Sequence, residues 1–187
     1  SVTGISHTSP SGSSAQVGSG VTGGEGVQQI FWDVQTWTNA TTHTLTMSGS
    51  GNNNDVTYYC IAGAASTGQP DSSLATASGT DSSAPGTLNT YAITPSSSSG
   101  IMIATTGVAL GHTTSCGPAG YQDNMDNNNN WCHFAYSSTA SQQFSITKTG
   151  SGAGAWSGAG AAFKSASAAS AAPAFDKRKK LDRLETQ

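Results

Sequence analysis

Seven carboxylates lie in the first 163 residues: Glu25, Asp33, Asp55, Asp71, Asp81, Asp123 and Asp126. Acid–base catalysis needs two such groups facing each other, or one within reach of a histidine. A glycosidase needs its pair across a cleft. Here the acids are scattered. Asp33 falls in a strand-like run, and most of the others fall in turn-rich stretches where solvation is the ordinary role. The histidines, His7, His43, His112 and His133, show no HExxH or H-x₃₋₅-H spacing. His43 lies on the inward face of an alternating segment, the usual place for a core or rim histidine. No GxSxG elbow singles out a nucleophile among the many serines. No catalytic residue is assigned, and the chain reads as a non-enzyme.

Three cysteines allow one internal disulfide at most. Cys116 and Cys132 flank a Gly/Asn-rich stretch and form the candidate pair, which leans toward an oxidising compartment. A metal cluster of His112, Cys116, Cys132 and His133 is the competing reading. It lacks the tight CxxC pairs of structural zinc sites, so the disulfide is preferred. Cys60, in the apolar run Tyr58-Tyr59-Cys60-Ile61, reads as a small buried hydrophobe. Asp123, Asp126 and Asn128 offer oxygen ligands for calcium, but their loop lacks the glycine and terminal glutamate of an EF-hand. An Asn-rich turn is the commoner meaning. Neither metal nor cofactor is expected. The Gly-rich stretch Gly18 to Gly26 does not join a strand to a helix, so a phosphate loop is unsupported. Asn39-Ala40-Thr41 is a glycosylation acceptor only in a compartment that glycosylates.

The elements around these residues are strands. Charged residues make up only 9% of the chain, against about 25% in typical soluble domains. Ser, Thr, Gly and Asn take their place, and Thr-rich surfaces suit a pleat better than a solvated helix. Thr41 to Ser48 alternates, with His43, Leu45 and Met47 on one face and Thr42, Thr44 and Thr46 on the other. Val27–Gln35, Asp55–Ala65, Leu88–Thr94, Ile101–Leu110, Trp131–Ser137, Gln142–Thr149 and Ala155–Phe163 read as further strands. Turn-rich loops at 49–54, 67–73, 95–100 and 116–130 separate them. The pattern predicts an all-β, antiparallel sandwich of jelly-roll or Ig-like type. Residues 1–26 read as irregular, with at most one short strand near Val2 to Ile5. The sandwich spans 27–164, and 165–173 is a Ser/Ala linker. No run approaches the roughly 20 apolar residues of a membrane helix.

The tail, 174–187, is different material. Residues 1–163 carry one Lys against seven acids, formally −6, and 164–187 carry six basic against three acidic residues, formally +3. Phe175, Lys177, Arg178, Lys179, Lys180, Leu181, Arg183 and Leu184 form a candidate docking tail: either a short basic helix that folds on a partner, or a disordered end. Without aromatic interleaving it is a weak nucleic-acid signal. An acidic surface, including another copy's body, is the better match.

Five segments carry a resemblance: VQQIFWDV, ATTHTLTMSGS, VTYYCIAGAASTGQPD, SGIMIATTGVA and AGAWSGAGAAFKS, ending in Ala162-Phe163-Lys164. Their texture resembles β-sandwich modules of tailed-phage structural proteins and bacterial surface proteins. The resemblance implies a structural or adhesive role at a virion or extracellular surface. Other virion or surface proteins, and further copies of the chain, would be its partners. It transfers no residue-level chemistry. A glycan is the alternative partner, with Trp37 and Tyr121 as candidate stacking residues; covering a sheet edge (Trp37) and packing on its own loop (Tyr121) are the plainer roles.

Overall fold

The computed structural model describes residues 2–8, 11–23, 26–33, 44–50, 57, 59–81, 86–108, 114–117, 121–125, 129–148, 154–166 and 175–176. Within them the chain is all-β. The strands are β1 (Val2–Thr8), β2 (Ser11–Gln16), β3 (Val21–Gly23), β4 (Gly26–Gln28), β5 (Phe31–Trp32), β6 (Leu45–Gly49), β7 (Cys60–Ile61) and β8 (Ala75–Asp81). They continue as β9 (Gly86–Ile93), β10 (Gly100–Val108), β11 (Thr114–Gly117), β12 (Tyr121–Met125), β13 (Asn129–Tyr136), β14 (Gln142–Lys148), β15 (Gly154–Lys164) and β16 (Phe175–Asp176). Among the described residues no helix is long and apolar enough to cross a membrane.

The centre is a five-stranded antiparallel sheet in the order β12-β13-β10-β15-β8. A three-stranded sheet, β11-β14-β9, faces it. Their shared core holds Tyr91 and Ile93 from β9, Phe144 and Ile146 from β14, Met102 and Ala104 from β10, and Cys132, Phe134 and Tyr136 from β13. The chain passes from the central sheet to the facing one between β8 and β9, and back between β11 and β12, which stand at the edges of the two sheets.

The central sheet is buried on its other face too. Ile101, Ile103, Ala161 and Phe163 pack there with Val17 and Ile30, joined by Trp32, Tyr59, Ile61 and Leu74. Every residue of β10 is buried. This explains the unbroken apolar and small-residue runs of β10 and β15: a strand covered on both faces has no polar side to alternate with. The N-terminal segment supplies the cover. Ser157 Oγ donates to Gly23 O at 2.9 Å, and Thr105 Oγ1 donates to the buried Gln28 Oε1 at 2.7 Å.

Residues 1–26 are therefore not irregular. They carry β1 and β2, which pair as a hairpin and with β6, and β3, which pairs with β4. Their Ser/Gly composition hides the strands, because pairing rests on main-chain bonds and little side-chain alternation is present to read. Three more expectations change. Val27–Gln35 is broken into β4 and β5. The described residues of Asp55–Ala65 form the two-residue β7, a turn and a single bridge from Ala64 to Ser165. The 116–130 loop contains β12, which pairs with β13.

Small residues in β15 make room for an aromatic. A Cβ at Gly158 would lie 2.6 Å from Tyr91 Cε1, and one at Gly160 would lie 2.6 Å from Tyr91 Cε2 and Ile93 Cδ1. Tyr91 therefore lies against bare backbone, stacked on Phe144 at 5.2 Å between ring centroids. Its hydroxyl lies 2.7 Å from Ala159 O and 3.0 Å from Thr105 O, so its O–H can donate to either carbonyl.

Candidate functional site

One corner of the sandwich concentrates polar groups. After β8 leaves β15 at the Ala75–Gly160 pair, the edge of β15 is completed by the segment before β8. Asp71 N–H donates to Ala162 O at 2.7 Å. Ala162 N–H donates to Ser72 Oγ at 2.9 Å. The Gln69 amide imitates a strand, accepting from Lys164 N–H at 3.0 Å and donating to Lys164 O at 2.7 Å. Side chains thus satisfy backbone groups that no strand reaches.

Asp71 is the hub. Only 5% of it is exposed, and one carboxylate oxygen accepts three donors: Tyr136 O–H at 2.6 Å, Ser97 Oγ–H at 2.6 Å and Ser97 N–H at 3.0 Å. Burial pushes its pKa up, but the Ser97 hydroxyl, the Tyr136 hydroxyl, the Ser97 amide and the Lys164 charge together outweigh that and leave it below the ordinary carboxylate value. Tyr136 shifts upward, from burial first and then from the carboxylate it bonds. The result is a fixed anion holding a neutral phenol. Such a pair anchors loops, because its hydrogen bonds tie Ser97 and Tyr136 to Asp71.

Gly68, Pro70, Asp71, Ser72, Ser96 and Lys164 line an open hollow of about 370 Å³ over this corner. It offers hydroxyls and one ammonium group, with no aromatic in its lining. Neighbouring polar groups close the corner: Ser99 Oγ and Ser165 Oγ lie 2.7 Å apart.

The sequence had placed Asp71 among solvated loop acids, which is wrong for this residue. The signal was present in its neighbours. Pro70 and two serines surround it, and no lysine or glutamate lies near it in the chain. Its partners Ser97 and Tyr136 lie 26 and 65 residues away, beyond any local pattern.

The other candidates scatter. Cys132 is disulfide-bonded and fully buried in the core between the two sheets. The backbone places Cys116 opposite Ile146, whose side chain shares that core. The side chains of Cys116 and Cys60 lie outside the described residues. His133 is on the opposite face of β13 from Cys132, with Tyr59 edge-on at 6.0 Å. Successive strand residues point apart, so Cys132 and His133 cannot converge on one metal, and a bonded sulfur is not a free ligand. Among the described residues no three His, Cys, Asp or Glu side chains gather for a metal.

Tyr121 lies in β12 at the rim of the central sheet, with its side chain outside the described residues. Trp37, Asp126 and Asn128 also lie outside them, as do Lys177, Arg178, Lys179, Lys180, Leu181, Arg183 and Leu184. The backbone of Phe175–Asp176 pairs antiparallel with Cys60–Ile61. This part of the tail, read as either a short helix or a disordered end, is strand.

A second buried polar spot lies between the sheets. Asn130 Oδ1 has no hydrogen-bond partner, and Thr106 Oγ1, opposite it in the β10–β13 ladder, meets the Tyr91 phenol outside good hydrogen-bonding geometry. No protein family, curated protein or solved structure matches the chain.

Proposed function

We propose that this chain is a non-enzymatic structural or decoration protein, displaying or cementing its β-sandwich on a larger particle through assembly contacts. One observation carries the reading: Asp71, the buried carboxylate among the described residues, accepts three internal donors on one oxygen and locks loops to the end of the central sheet. The charge split between a −6 body and a +3 tail adds a means of attachment. The resemblance to tailed-phage and bacterial surface modules points the assembly toward a virion or extracellular surface.

Light-scattering mass of the full chain, and of a chain lacking residues 165–187, tests the reading. An oligomer that is lost with the tail supports self-assembly through it. A monomer in both forms, together with binding on a glycan array, would replace this function with a carbohydrate-binding adhesive module.

A further inference from the structure

Sheet edges are where a β-protein meets other chains, and natural edges are blunted by bulges, short length, charge or proline. Most edges among the described strands are blunted so. β12 shifts register between Gln122 and Asn124. β9 bulges where Phe144 and Ser145 pair with Tyr91 and Asn89. The β6 ladder is irregular between Val2 and Gly4. β11 has four residues and β5 has two.

β8 is the exception. Its seven residues pair with β15 without a break, from Asp81–Gly154 to Ala75–Gly160. It stands last in the central sheet. Among the described residues no backbone hydrogen bond is made on its outer side. Its sequence, Ala-Thr-Ala-Ser-Gly-Thr-Asp, holds no lysine, arginine or proline. Thr76, Ser78, Gly79 and Thr80 are exposed. Trp156 lies over Gly79, where a Cβ would come 3.0 Å from Nε1, and stiffens the strand where it lacks a side chain.

We infer that the β8 edge is a strand-addition surface, and that its occupant is β8 of a second copy of this chain, paired antiparallel about Ser78. This deepens the assembly reading and rests on it. The register that uses all seven residues sets Thr76 against Thr80 of the other copy, Ala77 against Gly79 and Ala75 against Asp81. β-Branched and small residues face each other, which suits cross-strand packing. The only charge, Asp81, falls at opposite ends of the paired strands. Six residues of strand put the two Asp81 backbones about 20 Å apart, beyond the roughly 8 Å screening length at physiological salt. Apart from Asp81 at one end, the strand offers a charged partner nothing complementary, whereas its uncharged stretch 76–80 matches itself. The outcome is a continuous ten-stranded sheet across a two-fold axis.

The test uses the full chain. Sedimentation should give a species of twice the 18.8 kDa chain mass. Thr76→Lys/Thr80→Lys, at exposed positions, should shift it to monomer with an unchanged circular dichroism spectrum, because lysines then oppose lysines. Mixing that variant with Thr76→Glu/Thr80→Glu should restore a mixed dimer. A chain that is monomeric at every concentration overturns the inference. So does an oligomer whose mass the lysine variant leaves unchanged. If that oligomer is lost on deleting residues 165–187, only the edge inference fails and the assembly reading stands.

Discussion

The Tyr136 hydroxyl donates to Asp71 Oδ2 at 2.6 Å, joining the last residue of β13 to a loop that follows β15 as a substitute strand. A bond to a charged group contributes about 1.5–3 kcal/mol. Tyr136→Phe should therefore lower unfolding free energy by about that amount in a denaturant titration. Asp71→Asn should cost at least as much, because an amide cannot accept from all three donors as strongly. An unchanged midpoint in both variants would show that the corner is held by Gln69 and Ser72 instead.

The same pair bounds the stable pH range. Asp71 is held below its ordinary value, so below about pH 4 the unfolded chain takes up the proton first. Stability should fall from there until the folded carboxyl is protonated as well. Tyr91 and Tyr136 are raised above the ordinary phenol value, both mainly by burial. Their contribution is complete below about pH 10 and should be lost as pH climbs above it. Thermal melts across pH should show both limbs, and Asp71→Asn should flatten the acid one.

Gly158→Ala and Gly160→Ala place a methyl group against the Tyr91 ring. Overpacking of this kind costs about 1–3 kcal/mol. Each variant should melt lower, and Tyr91→Leu should relieve part of the Gly158→Ala penalty in a double-mutant cycle. Full additivity would mean that the ring moves away freely.

Cys132 is bonded, and Cys116 is the cysteine whose ladder partner shares its core. Peptide mapping without reduction should join Cys116 to Cys132 and leave Cys60 as the thiol that labels on unfolding. Closing a loop of that length is worth about 3 kcal/mol, so a reducing agent should lower the melting temperature. A Cys60–Cys132 peptide would reverse the assignment.

How much of this was legible depends on the strand. β13, β10 and β15 were read because apolar residues dominate them, and β6 and β14 because they alternate. β1 was read only as at most a short strand near Val2 to Ile5, and β2 and β8 were missed, since Ser, Thr, Gly and Ala serve a turn, a linker or a paired strand equally well. Only the partner strand distinguishes these roles. The Asp71 corner was invisible for a related reason: its donors meet only once β13 and the 95–99 loop reach the same end of the sheet. Sequence spacing carries no trace of that meeting.

The lateness of β15 has a further consequence. Asp81 and Gly154, which pair, are 73 positions apart. A ribosome adding about 5–20 residues per second leaves β8 without its ladder partner for roughly 4–15 s. Throughout that interval both edges of the strand are open to neighbouring nascent chains on the same message. A Val- or Ile-rich segment held open so long would nucleate aggregates. The Thr/Ser/Ala/Gly composition of β8 keeps the waiting segment hydrated, so the strand can do without lysine and arginine along its length and no heavy toll falls on biogenesis.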